Sequence, residues 1–451
     1  MLPTPAARLW LLTASLAAVA GAGEIRAQDT DAGRSRGLQL ASAMGCGACH
    51  AGAPDPALAR RRAPVLGPSG TPLPADFVFT WLADPRPRRP DLGATRMPDF
   101  RLDEGERVAL ALLLGTDADA GGTLAEARRR HPAADAALGR RIFGALGCSG
   151  CHDGVEGTRP VAGPDLSREG ARVGEAWLAE YLSDPAPLRG SAHPSAPGAR
   201  MPDFRLTPAE ASALAAWLAS RGAPFAALPD TPLTPLQRTR AERFLEERTS
   251  CLGCHRIQGR GGRIGPPLEG TALRLRPSFV LEMILDPARA APGGPMPHQP
   301  MPRREAERLA RYLLDVGRTA APAPARPSLA DPSNPAWTAL AEIDDEGAAL
   351  YARHCAACHG SAGQGDGWNA GDLPVPPTRH ADGALMARRV DDALYDGIHA
   401  GAWVLDGSPR MPAFGALLTP SQIRALVGHI RTLCGCEAPA WSRDAARRGG
   451  R

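Results

Sequence analysis

Apolar residues recur at three- and four-residue spacing in short runs along the chain, with polar residues between them. That period predicts amphipathic helices. Four runs stand out: ERVALALLL (106–114), PAEASALAAWLAS (208–220), REAERLARYLLDV (304–316) and PSQIRALVGHIRTL (420–433). A second set lies upstream of the first three, as FVFTWLADP (77–85), AWLAEYLSDP (176–185) and SFVLEMILDP (278–287). Each ends in Asp-Pro, which stops a helix because the residue before proline is driven out of the helical region. No stretch alternates as a half-buried strand does, so the pattern predicts an all-α fold.

Behind these helices stands a shorter signature. Eight of the ten cysteines fall in four copies of CxxCH: Cys46, Cys49 and His50; Cys148, Cys151 and His152; Cys251, Cys254 and His255; Cys355, Cys358 and His359. Their first cysteines are 102, 103 and 104 residues apart, a period that divides the chain into four similar helical units. A chain of 451 residues has room for that many small domains. The expected layout is a signal peptide at 1–27, domains at 28–117, 133–223, 234–318 and 343–437, and a basic tail at 438–451. Linkers fall near 118–132, 224–233 and 319–342, the last rich in Ala and Pro.

Residues three and four apart share one face of a helical turn. Two cysteines and the adjoining histidine can therefore hold a haem by two thioethers while the imidazole reaches the iron. Zinc would need paired half-sites within one domain, and a thioredoxin-type site would need a βαβ context. Neither explains a histidine after every second cysteine. Aromatic residues are only 5% of the chain, so a bulky cofactor is expected to fill the cores; four covalent haem c groups are implied.

A second axial ligand decides whether such an iron carries electrons or binds substrate. Met97 and Met201 stand in RMPDF, Met411 in RMPAF, and Met296 in PMPHQPMP. In the third repeat His298 and Met301 are alternatives. Met296 is preferred because Leu309 follows it by thirteen residues, as Leu110 follows Met97 and Leu214 follows Met201. Met301 then takes the place of Leu102 and Leu206. Trp177, Trp217, Phe279 and Tyr312 sit at helical spacing and read as packing residues. Histidines 131, 193, 354, 380, 399 and 429 have no counterpart in the repeats and read as surface or core residues.

With these strings and methionines, the chain resembles the class I cytochromes c in four tandem copies. That resemblance implies a Gly-Pro segment after each string, whose proline carbonyl accepts a hydrogen bond from the axial histidine. The matches are Pro68 in VLGPS, Pro164 in AGPDL and Pro266 in IGPPL, with Pro376 in LPVPPT lacking the glycine. The fourth unit, with CHGSAGQGDG, is more similar to the cytochrome c domains of bacterial respiratory complexes.

The expected function is single-electron transfer between redox proteins, with a quinol-oxidising complex or dehydrogenase as donor and a terminal oxidase or another cytochrome as acceptor. The rival is a haem enzyme of the peroxidase or sulfur-compound dehydrogenase type, its altered ligation falling in the third unit. All 52 basic residues are arginine and are scattered among 48 acids, which removes the basic stripe a nucleic-acid partner requires. At the start, Arg8 precedes an apolar stretch from Leu9 to Ala22, the pattern of an export signal ending at Ala27. Export implies the periplasm, with membrane contact only through a partner or through that signal if it is kept as an anchor. Cys434 and Cys436, outside the strings, are expected to form a local disulfide.

Overall fold

Helices form where the apolar period predicts them, and side-chain caps set their starts. The computed structural model describes residues 31–55, 63, 65–66, 72–85, 97–117, 122–152, 165–185, 201–318, 328, 330–331 and 343–442. The signal segment, most of 319–342 and the end of the basic tail lie outside these. The described residues fall into two compact units, one holding those up to 185 together with 201–223, the other those from 224 onward. No helix among them is long and apolar enough to cross a membrane.

In the first unit, α1 (31–43) runs into the first string, followed by α2 (Ala75–Trp81), α3 (Glu104–Leu114) and α4 (Thr123–Arg130). Next come α5 (Ala136–Ala145), α6 (Glu175–Ser183) and α7 (Pro208–Ala219). The second unit holds α8 (Pro235–Glu247), α9 (Pro277–Leu285), α10 (Arg303–Val316), α11 (Glu346–His354), α12 (Asp391–Ala400) and α13 (Pro420–Cys434). Capping boxes start α3 (Asp103 with Glu106), α7 (Thr207 with Glu210), α8 (Thr234 with Gln237) and α13 (Thr419 with Gln422). Each satisfies two of the amide donors that a helix start leaves unpaired.

Two features add to the expected layout. The segment 118–132 contains α4, because Leu124 and Ala127 bury one face of a single turn against α2 and α3. Asp76 anchors its start, accepting from the Leu124 amide at 2.7 Å and the Thr123 hydroxyl at 2.9 Å. The third repeat also holds a small hairpin, β1 (Arg256–Ile257) antiparallel to β2 (Arg260–Gly261). Its turn places Gln258 and Gly259 at φ 50° and 76°, the two successive left-handed residues that the tightest hairpins demand.

Packing follows helix crossings closed by small residues. In the second unit α8 packs on α10, and α11 on α13. A Cβ at Gly347 of α11 would fall against the Ala425 carbonyl of α13. In the first unit the partners cross between repeats. Gly139 of α5 lies against the Ala109 carbonyl of α3, and Gly37 of α1 against the Ala213 carbonyl and Trp217 of α7. Val108 and Leu110 of α3, Ile142 and Phe143 of α5, Leu40 and Ala41 of α1, and Leu214 and Leu218 of α7 are all buried.

Two predictions follow from these contacts. Gly139→Val forces α3 and α5 apart and costs about 1–3 kcal/mol, as overpacking does; thermal unfolding followed by circular dichroism checks it. Arg130 holds Glu104 through bonds of 2.5 and 3.0 Å and lowers its pKa to about 2, with His131 adding a contact at 3.0 Å. Because the folded pKa is depressed, this increment is full above the ordinary carboxylate range near 4.5 and is lost as pH falls through about 2. Urea midpoints of wild type and Glu104→Gln should therefore converge over that window.

Candidate haem-binding sites

All four strings share one backbone turn. The histidine amide donates to the carbonyl of the first cysteine at 2.9 Å for His50, His152 and His359 and at 2.8 Å for His255. In the first two strings the turn starts at Gly45 and Gly147, with φ of 71° and 70°, values that favour glycine. This closure brings both cysteines and the histidine to one face. The eight thiols are unbridged, whereas Cys434 and Cys436 form a disulfide. Burial raises the pKa of Cys46, Cys148, Cys254 and Cys355 to about 12, and it also pushes Cys49, Cys251 and Cys358 upward. A dithiol redox site needs the opposite, a lowered thiol pKa. Among the described residues no three His, Cys, Asp or Glu side chains gather to hold a bare metal ion.

Two of the four string histidines have a fixed tautomer. His255 Nδ1 lies 2.7 Å from the Pro266 carbonyl, and His359 Nδ1 lies 2.8 Å from that of Thr378. A carbonyl only accepts, so each Nδ1 carries the proton and each Nε2 keeps its lone pair for a metal. Burial lowers both pKa values, which favours the neutral ligand form. Gly265 is required beside His255, since a Cβ there would lie 2.5–2.9 Å from three ring atoms. In the fourth repeat the acceptor is Thr378 and not Pro376. The chain there makes a longer excursion through Gly360, Gly363 and Gly365, all at positive φ, and meets the histidine two residues later. Pro68 and Pro164 lie outside the described residues.

The four methionines are half-buried in loops that precede the closing helices α3, α7, α10 and α13. Met301 packs against the apolar cluster of the third repeat, the place Leu206 holds in the second, while Met296 and His298 stay outside that cluster. Gln299 ties this loop to its string: its Oε1 accepts from the Ser250 amide at 2.8 Å and its Nε2 donates to the Arg248 carbonyl at 3.0 Å. In the first unit the two RMPDF loops pair antiparallel through Asp99 and Asp203, with both amide-to-carbonyl bonds at 2.8 Å. Arg101 then reaches Asp184 at 2.7 Å and Arg205 reaches Asp84 at 2.8 Å.

Strings also meet in pairs. A Cβ on Gly150 would lie 2.5 Å from that of Ala48, so the first two strings touch. In the second unit Asn369 spans the other two, donating to the Gly253 carbonyl at 3.0 Å and lying 3.3 Å from Cys358 Sγ. Its Oδ1 accepts from the Arg263 amide at 2.7 Å. Arg410 Nη1 is buried there with no hydrogen-bond partner, and burial lowers the guanidinium pKa. A carboxylate such as a haem propionate satisfies that orphaned donor, so these residues fit the group. Four contributors were not legible as site residues: Thr378, Gln299, Asn369, and His380. The last is buried, stacks at 4.1 Å on the His359 ring and shares a 3.0 Å bond with the Tyr351 hydroxyl. Only the repeat offset of Met301 hinted at the loop that Gln299 anchors.

Gln299→Ala should cost about 1 kcal/mol of local stability, because it leaves the Ser250 amide and Arg248 carbonyl without a partner. In the holoprotein it should allow cyanide to bind at one iron per chain, seen by optical titration, while the wild type binds none.

Comparison with known families gives two matches. Residues 136–222 match the family described as Cytochrome c, and residues 342–430 match Cytochrome C oxidase, cbb3-type, subunit III. No curated protein and no solved structure matches the chain significantly. Each matched region contains a complete CxxCH string and a methionine loop, with His152 and Met201 in the first and His359 and Met411 in the second. These matches support a c-type cytochrome with more than one cytochrome c domain, a helical protein with covalently bound haem and a role in electron transfer.

Proposed function

We propose that this chain is a periplasmic tetrahaem cytochrome c that passes single electrons between redox proteins of a respiratory chain. Haem at each string would supply an iron that changes by one electron between ferrous and ferric. The chain's own histidine and methionine side chains would hold that iron, an arrangement that would leave no position for substrate and would raise the reduction potential.

The observation that carries this reading is the pairing of strings. Ala48 against Gly150, and Asn369 between Gly253 and Cys358, bring the attachment edges together within each unit. Such contacts suit transfer inside one chain and would be idle if each site acted alone. The first and third strings use the same buried turn as the two in matched regions, which supports a count of four. Similarity of 342–430 to an oxidase subunit supports a respiratory setting, with a donor such as a quinol-oxidising complex or dehydrogenase and an acceptor such as a terminal oxidase or another cytochrome. Met296 is the ligand of choice in the third repeat because it stands thirteen residues before Leu309, as Met97 stands before Leu110 and Met201 before Leu214.

Optical and magnetic spectra with a potentiometric titration test the proposal. The oxidised protein should show only low-spin iron and four equivalents of the weak near-infrared methionine band. Met411→His should remove one quarter of that band and move one titrating component to lower potential. A high-spin ferric component in the wild type would instead favour the enzyme reading.

A further inference from the structure

The first unit contains a rearrangement that the repeat pattern alone does not reveal. In the third repeat, the amide of Leu268 donates to the Arg256 carbonyl at 2.8 Å. This bond joins the residue after the string's histidine to the leucine two places after Pro266, and it accompanies the bond from His255 to Pro266. Its counterpart in the first unit runs from the amide of Leu166 to the Ala51 carbonyl at 2.9 Å. Ala51 follows His50 of the first string, whereas Leu166 belongs to the second repeat. The first string is therefore seated on the second repeat's segment.

Three further contacts agree. Arg221, at the end of α7, donates to the Gly52 carbonyl at 2.8 Å and to the Leu166 carbonyl at 3.2 Å. A Cβ on Gly52 would collide with Asp165 and Ser167. Helix α1, which carries the first string, crosses α7 of the second repeat, and α5, which carries the second string, crosses α3 of the first.

The second unit supplies the rule for reading this. There, each helix that leads into a string crosses the closing helix of its own repeat, α8 on α10 and α11 on α13. The methionine loop precedes that same closing helix, and Gln299 clasps it directly to the segment before the string. String and methionine thus belong to one site when their helices cross. The equivalent glycines stand nine residues before Cys46 and Cys148, and the equivalent alanines twelve after Met97 and Met201. The two crossings of the first unit therefore use the same repeat positions, and in the second unit Gly347, eight residues before Cys355, makes the same kind of close approach to α13.

We infer that the first two repeats exchange their axial methionines: Met201 completes the site of His50, and Met97 completes the site of His152. The paired Asp99 and Asp203 segments, with Arg101 on Asp184 and Arg205 on Asp84, lock the two methionine loops in this exchanged arrangement. Neither repeat builds a complete site without the other. The inference rests on the haem reading above and goes beyond it, since it assigns which residues share an iron.

The test uses the full-length holoprotein. Cys46→Ser with Cys49→Ser removes one attached haem and should leave three methionine bands. Adding Met201→Ala to that background should leave three, and adding Met97→Ala should leave two. The reverse pattern, two with Met201→Ala and three with Met97→Ala, overturns the exchange. Should loss of the first haem disturb the second, the intact wild type still decides the matter. In the reduced protein with methyl-labelled methionine, the Met201 methyl, assigned by its loss in Met201→Ala, should show Overhauser contacts to the haem linked at Cys46 and Cys49. Contacts from the Met97 methyl to that haem overturn the exchange. Failure of the haem reading looks different, because the wild type would then lack methionine bands altogether.

Discussion

The architecture depends on one kind of contact, the close crossing of the helix that leads into a CxxCH string with a closing helix. Close approach of two backbones requires a residue with little or no side chain at the crossing, and Gly37, Gly139 and Gly347 supply it. In the third repeat α8 carries Ala241, a small residue buried ten positions before Cys251. Once that crossing forms, the string at the end of one helix and the methionine loop at the start of the other face the same space. The short turn of the string then needs only its own backbone bond to set two thiols and an imidazole on one side.

Around this contact the chain arranges polar groups that hold the string histidines and the methionine loops in place. Pro266 and Thr378 hold the tautomer of their histidines, and Gln299 or the paired Asp99 and Asp203 hold the methionine loops. Burial lowers the pKa of both histidines and raises that of the free thiols, which favours the neutral form of each before haem is attached. Low dielectric and fixed dipoles favour an iron that changes charge with little rearrangement of its surroundings. Asn369 adds a link of another kind, since one amide serves a backbone group of the third string and a sulfur of the fourth.

Much of this was legible in the sequence, for local reasons. The 3.6-residue period located α3, α6, α7, α9, α10 and α13 to within a few residues, and Asp-Pro stopped α6 and α9 where expected. String chemistry is local too, so its residues could be named from spacing. Partner choice is not local. Gly37 and Gly139 occupy equivalent positions, as do Ala109 and Ala213, so the sequence permits either pairing of the helices equally well. Thr378 escaped because its role depends on the length of a glycine-rich excursion, and α4 because two apolar residues give too weak a period to distinguish a short helix from a linker. Asn369 acts across repeats, a contact that no spacing rule encodes.

The central claim is that every string carries a covalent porphyrin clasped by its own histidine. Intact mass of the purified holoprotein, followed by peptide mapping of 46–50, 148–152, 251–255 and 355–359, tests it most directly. The account predicts four attached haems, one on each peptide. A mature chain with fewer than four, or with any of those cysteine pairs joined as a disulfide, would contradict it.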